Sequence, residues 1–271
     1  MRDDAADFVS GENGLVIGRR LTSRALVRDA IDDVLRLLTA EPLRLARAAA
    51  RGPQRSVLVL AVEREDEPNL LARARTELMR SRHVVNFHQI GVGTAGKFEN
   101  LDRLLEAHPA AGHDWLLVID DDVALPHGFL DRFVFLAERF GLRLAQPAHR
   151  ARSHAAWSVT RRRRASVVRE TAYVEIGPVS AFHADTFSTL LPFPPLRAGW
   201  GLDAHWAAVA GQRGWPLGVI DATAIRHGLR QIAVAYDRDA AVAEGQAYLA
   251  GRPYLRAEQA NRTLRVHRSW G

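Results

Sequence analysis

Two apolar runs constrain this chain more than any other feature: Ser56-Val-Leu-Val-Leu-Ala-Val62 and Trp115-Leu-Leu-Val-Ile119. Neither alternates polar with apolar residues, so neither suits a sheet with one face in water. Such strands are buried on both faces, which requires helices above and below the sheet. The intervening sequence supplies them. A helical stretch at Asn69–Arg80, a strand at His83–Ile90, a glycine loop (Gly91, Gly93, Gly96) and a helix at Phe98–His108 lie between the two runs. A helix at Gly128–Phe140 and a strand at Leu142–Gln146 continue the alternation. The pattern predicts an α/β fold, a mixed, mainly parallel sheet with helices on both faces. Ligands of such sheets bind outside the carboxyl ends of the strands. Asp120, Asp121 and Asp122 stand at one of those ends.

The second half reads differently. Residues 149–169 form a polar, arginine-rich loop. A strand pair around Tyr173–His183 follows, then a turn with Pro192, Pro194 and Pro195, and Gly199-Trp-Gly-Leu-Asp203 opening a helix to about Gln212. A strand at Leu217–Asp221 and a helix at Asp237–Leu249 complete the pattern. The tail around Tyr236-Asp-Arg and Gly251-Arg-Pro-Tyr254 is expected to cover the cleft or the sheet. Before the first strand, Leu21 to Ala50 carries apolar residues at helical spacing, and Pro42 is expected to divide it into two helices. We therefore expect a helical extension at residues 1–54 and one catalytic domain at 55–271. The extension suits packing on the domain or on a second subunit, with a membrane surface as the other reading.

Composition narrows the chemistry. The 271 residues include no cysteine, which excludes disulfides and thiolate-bound zinc or iron–sulfur centres. No apolar stretch approaches the roughly 18 residues of a membrane span, and Met1–Phe8 lacks a signal-peptide core. The expected location is cytoplasmic. Net charge is +6, from 37 basic and 31 acidic residues, and Lys97 is the sole lysine. With arginine used almost everywhere, arginine patches are weak evidence for a polyanion partner.

Three clusters carry chemistry. Asp120 and Asp122, one residue apart at a strand end, can offer hard oxygen ligands to Mn²⁺ or Mg²⁺, or form a solvated turn. A phosphatase reading of these aspartates is poor, because Ala124 stands where a hydroxylated or branched residue belongs and no lysine follows Lys97. In the second cluster, Trp200 offers a flat face to a sugar ring, Gly201 allows close backbone approach, and Asp203 near a helix start can act as a base or merely as a first-turn carboxylate. The third is His227, which can complete a metal shell begun by Asp122 or be a structural histidine.

That order resembles the GT-A fold of nucleotide-sugar-dependent glycosyltransferases. The stretch Ala198-Gly-Trp-Gly-Leu-Asp203 is similar to the GWG-plus-acid segment of the β-1,4-galactosyltransferase group. A longer resemblance, over Asp114 to about Leu229, is to an uncharacterised GT-A-like family common in plants. It rests on Leu144-Ala-Gln-Pro-Ala148, Ser153-His154, Thr160-Arg161, Tyr173-Val-Glu-Ile-Gly-Pro-Val179, Trp200–Asp203, Gly218-Val-Ile-Asp221 and Ile225-Arg-His227. The resemblance implies a metal site of Asp122 and His227, with Asp120 on the metal or the donor ribose, and Asp121 alongside as a donor-side residue. Asp203 would deprotonate the acceptor and give inversion, with Glu175 as a sugar contact or back-up base. Glu63, Arg64 and Asn86 are expected around the nucleobase, Lys97 near the donor, and Trp200 with Gly201 near the sugar or acceptor. The implied donor is a UDP-, GDP- or dTDP-sugar, the acceptor an unidentified hydroxyl, and the N-terminal helices a possible dimer contact. Two other readings remain: a non-catalytic GT-A-like nucleotide or glycan binder, and a basic adaptor whose Arg161–Arg164 run holds nucleic acid or an anionic membrane. Nucleic acid is not the expected partner, since one Trp beside four arginines lacks the interleaved aromatic pattern.

Overall fold

The computed structural model describes residues 6–10, 16, 18–229 and 237–271; Tyr236 lies outside the described residues. Helices α1 (Arg19–Leu38) and α2 (Glu41–Ala49) come first, with Pro42 at the start of α2 as its spacing predicts. The sheet begins with β1 (Ser56–Glu63), then α3 (Leu71–Leu78), β2 (Val84–Gly91), α4 (Lys97–Ala107), β3 (Trp115–Asp120), the two-residue β4 (Val123–Ala124), α5 (Phe129–Arg139) and β5 (Leu144–His149). The second half adds β6 (Val168–Thr171), β7 (Val179–His183), α6 (Phe187–Leu190), α7 (Leu202–Arg213), β8 (Leu217–His227), α8 (Arg238–Leu249), α9 (Ala257–Ala260) and β9 (Thr263–His267).

The main strand order is β2-β1-β3-β7-β5-β8-β6-β9. β1 pairs in parallel with β2 and β3, and β5 with β8, whereas β7 and β6 run against their neighbours. Six of these eight strands thus share one direction, the mixed, mainly parallel α/β sheet the sequence predicts. Their period of two sorts side chains into two cores. Val57, Val59, Ala61, Leu117 and Ile119 pack with α2, α3 and α5. Leu58, Leu60, Leu116 and Val118 pack on the opposite face with Phe98 and Leu101 of α4 and with Leu202 and Trp206 of α7.

Three local expectations are corrected. Tyr173–His183 is not a strand pair: Tyr173–Ile176 run irregularly between β6 and β7, because their polar groups bond to side chains instead of a ladder. The strand at Leu217 does not stop at Asp221 but continues to His227. Its far end leaves the main sheet and pairs antiparallel with β4, Val123 opposite His227. The C-terminal β9, an edge strand with exposed Leu264, was not anticipated. No described helix is long and apolar enough to cross a membrane.

Candidate functional site

The Val123–His227 pair builds the centre of the site. β3 ends at Asp120, the chain turns through Asp121 and Asp122 into β4, and cross-strand register sets Asp122 beside His227. The His227 Nε2 lies 3.1 Å from Asp122 Oδ1, and ligand atoms of Asp120, Asp122 and His227 all fall within 4.8 Å of one another. Asp122 is buried and Asp120 partly open. Burial alone would push the His227 imidazolium toward neutrality, but the Asp122 bond and the nearby Asp120 outweigh it and raise its pKa. Two carboxylates and an imidazole make a mixed oxygen and nitrogen donor set that could hold a divalent metal ion. The backbone holds His227 firmly: its N–H donates to Ser153 Oγ at 3.1 Å, and its carbonyl accepts from the His154 N–H at 2.8 Å. Burial and the adjacent His227 lower the pKa of His154.

Lys97, first residue of α4, reaches the same rim. Its Nζ lies 2.5 Å from Asp120 Oδ1 and donates to the Ile176 carbonyl at 3.3 Å. The Ile176 N–H in turn faces the Asp203 carboxylate. Asp120, Lys97, Ile176 and Asp203 therefore form one continuous wall. Asp203 is the second residue of α7. Gly201, at φ 92°, caps that helix in a left-handed conformation that a side chain would strain. Burial raises the Asp203 carboxyl to about 6, against the opposing pull of the Tyr173 hydroxyl and of the Ala204 N–H at 2.9 Å. The buried Tyr173 hydroxyl faces the Asp203 carboxyl, and burial and Asp203 push it well above the usual phenol range.

Glu175 is buried and fully engaged. It accepts from the Trp157 N–H at 3.1 Å and from Thr160 Oγ1 at 2.7 Å, and its other oxygen lies 3.3 Å from His149 Nε2. Its own N–H donates to Gln146 Oε1 at 2.5 Å. This geometry makes Glu175 an anchor of the irregular segment carrying Tyr173 and Ile176. Asp121 points away from the cluster: its Oδ2 accepts from the Arg64 N–H at 2.8 Å, with the Arg64 guanidinium 3.6 Å from Oδ1. Glu63 at the end of β1 accepts from Asn69 at 3.2 Å and from Gln89 at 2.7 Å. Asn86 is not brought to the site. It bonds His113 at 2.8 Å and pairs with Leu58, opposite Leu116, four register steps before Asp120, or about 13 Å at 3.3 Å per residue. Trp200 is half-buried against Phe8, Ala204 and Leu249, so only part of its face is open.

Sequence reasoning missed two supporting residues, His149 and Glu244, and reached Ser153 only through the family resemblance. Ser153 and His149 orient His227 and Glu175, and the sequence signal of His149 is its position at a strand end. Glu244 of α8 had none: its carboxylate accepts from the backbone N–H groups of Arg197, Ala198 and Gly199 at 2.7, 3.0 and 3.1 Å. It thereby fixes the loop that enters α7 and presents Asp203. The arginine run is also absorbed. Arg162 pairs with Asp33 at 2.9 Å and Arg164 with Asp32, both on α1, while the Arg163 N–H donates to Asp221 at 2.8 Å. Those contacts tie the run to α1 and to β8, while the side chains of Arg163 and Arg164 stay largely exposed.

No family model and no curated protein matches the chain. Among solved structures it is similar to GalNAc-T7 with UDP, GalNAc and Mn²⁺, at TM-score 0.49 and 11% identity over 66% of this chain and 45% of that one. It is also similar to a mycobacterial protein, at TM-score 0.43 and 16% identity, over 70% of this chain and 72% of that one. The chain spans less than half the length of GalNAc-T7. These likenesses are distant, and the α/β architecture stands on the strand order and register themselves.

Proposed function

We propose that this chain is a metal-dependent glycosyltransferase that moves a sugar from a nucleoside-diphosphate sugar to an acceptor hydroxyl with inversion. The observation that carries the reading is one wall of side chains. It joins a two-carboxylate, one-imidazole cluster (Asp120, Asp122, His227) to a buried carboxyl, Asp203, whose pKa of about 6 suits a base near neutral pH. Asp122 and His227, with Asp120, would hold Mn²⁺ or Mg²⁺. Such an ion supplies Lewis-acid compensation for charge on a departing diphosphate. Lys97 adds an ammonium group on the same rim, where it would donate to a phosphate oxygen in exchange for Asp120. Asp203 takes the proton of the acceptor hydroxyl as its oxygen bonds to the anomeric carbon. The bond from that carbon to the phosphate oxygen breaks, and the electron pair leaves with the nucleoside diphosphate. Glu175 holds the Tyr173–Ile176 segment, and through Ile176 the relative position of Lys97 and Asp203. The open part of the Trp200 ring would stack on a sugar ring.

The test is a thermal-shift panel of nucleoside diphosphates and their sugars, with and without Mn²⁺, followed by product analysis. Stabilisation by one nucleotide that requires the metal and disappears in Asp122→Ala is the expected result. Nucleotide binding indifferent to metal would overturn the metal-site assignment. Binding without any sugar transfer across acceptors would leave a nucleotide-binding domain and sink the enzyme reading.

A further inference from the structure

Helix α1 is turned the wrong way for an ordinary amphipathic helix. Its buried residues are Ala25, Asp29 and Asp32, and its apolar residues face out. Asp29 accepts from the N–H groups of Ala151 and Arg152 at 2.8 and 3.1 Å, Asp32 pairs with Arg164, and Asp33 pairs with Arg150 and with Arg162. This ionic seam takes the place of an apolar one. On the outer side, Leu26, Val27, Ile31, Val34, Leu35 and Leu38 are exposed, Val27 by 60% and Leu38 by 78%. At 100° per residue these six share one half of the helix circumference, opposite Ala25 and Asp29. The hydrophobic effect alone would turn that half inward.

The exposed half is basic as well as apolar. Arg19, Arg20, Arg24 and Arg28 are exposed, while every acid of α1 is committed to the inner seam. A shallow depression of about 570 Å³ sets Arg24, Arg28 and Arg164 around Val27 and Ile31. Apolar side chains rimmed by arginines, with no acid between them, complement a surface that is hydrocarbon within and phosphate without. A second copy of the chain is a poorer complement, since α1 against α1 brings arginines together with no free acid to pair them.

We propose that α1 lies flat on an anionic lipid bilayer, its apolar half in the headgroup–acyl boundary and its arginines on lipid phosphates. The helix is about 30 Å long, enough to rest along the surface, and it does not meet the requirements of a span. It also adjoins the candidate metal centre. The Val16 N–H just before it donates to His154 Nδ1 at 3.1 Å, and the His154 N–H bonds the His227 carbonyl. A chain docked through α1 thus carries the Asp120–Asp122–His227 cluster next to the bilayer. The docking claim itself does not depend on the transferase reading.

The experiment is co-sedimentation of the full chain with vesicles of phosphatidylcholine, with and without phosphatidylglycerol, over a range of salt. Binding is expected only with the anionic lipid and should fall as salt rises. Ile31→Ser with Leu35→Ser should weaken it more than tenfold, and Arg24→Gln about fivefold, the effect of removing one arginine near a charged membrane. Because these side chains are exposed, the melting temperature of each variant should stay at the parent value, which separates lost docking from lost folding. Equal binding to neutral vesicles, or unchanged binding by the serine variant, would overturn the proposal. So would a concentration-dependent dimer that Ile31→Ser with Leu35→Ser dissociates and that ignores vesicles, for then a second copy covers the helix.

Discussion

Replacing the buried carboxyl of Asp203 by an amide should make the protein more stable while abolishing transfer. In the folded chain this carboxyl titrates at about 6 in place of its ordinary 3.8, with burial as the main cause. The fold therefore prefers the protonated form, and the stability it gains from that form is complete below about pH 4. It is lost as pH rises through 6. At roughly 1.4 kcal/mol for each pKa step of one, the ionised group costs about 3 kcal/mol at pH 7, and about half of that at pH 5. Asn cannot ionise, and its side-chain oxygen can still accept the Ala204 N–H that Asp203 accepts at 2.9 Å. Asp203→Asn should thus exceed the parent by about 2 to 3 kcal/mol at pH 7, with a gain that shrinks steadily toward pH 4. Urea unfolding at pH 7, 6 and 5, with matched slopes, measures it. In thermal terms the gain at pH 7 is on the order of 5 to 10 °C for a chain of this size. A variant no more stable than the parent at pH 7 would refute the claim that Asp203 is held in an environment hostile to its charge. A gain independent of pH would trace the effect to packing instead. Transfer that continues unchanged in the variant would remove Asp203 as the base.

Other perturbations test the scaffold. The buried pair Arg169–Asp221 is bidentate, at 2.8 and 3.1 Å, and Arg169 also donates to the carbonyls of Val159 and Arg161. Asp221→Ala leaves that guanidinium uncompensated and should cost about 3 to 5 kcal/mol in urea unfolding; replacing both partners by apolar residues should recover much of it. Gly96 lies so close to the crossing strand of loop that a Cβ there would stand 2.1 Å from the Cα of Arg197. Gly96→Ala should therefore part the two loops at a cost of about 3 kcal/mol, read as a lower melting temperature, and unchanged melting would refute that close approach. Glu244→Gln should cost about 1 to 2 kcal/mol, because a neutral amide oxygen accepts the three loop N–H groups less strongly. Faster hydrogen exchange at Ala198 and Gly199 would report the loosened loop, and equal exchange would show that the carboxylate does not hold it.

The pairing of Lys97 with Asp120 illustrates why parts of the site were hard to read. In the sequence the lysine attracted notice only as the one ammonium among arginines, 23 residues from Asp120. The parallel register of β1 with β2 and β3 is what carries the start of α4 to the end of β3. Asn86 shows the reverse case. A polar residue on β2 was expected around the nucleobase, and register sets it four steps from the level of Asp120. A slip along a strand is invisible to composition but moves a side chain several ångströms per step. The arginine run behaved in a third way. Its charge suggested nucleic acid or an anionic membrane, whereas Arg162 and Arg164 pair with aspartates of α1 more than a hundred residues earlier.

By itself the sequence determined the architecture of the centre: two doubly apolar strands require helices on both faces, and periodicity of two or 3.6 residues is a local property that local sequence encodes. It also determined which residue types stand at the strand ends, because the Asp120–Asp122 turn and the Gly201–Asp203 helix start are contiguous in the chain. Only the tertiary structure decided which of them meet. His227 reaches Asp122 because β8 overshoots the sheet and pairs with β4; Lys97 reaches Asp120 and Asp203 through Ile176; α1 faces outward because its aspartates find Arg150, Arg162 and Arg164. Each of these is a contact between segments distant in sequence. Such contacts depend on register and on the competition between charge pairing and apolar burial, and neither is settled before the chain folds.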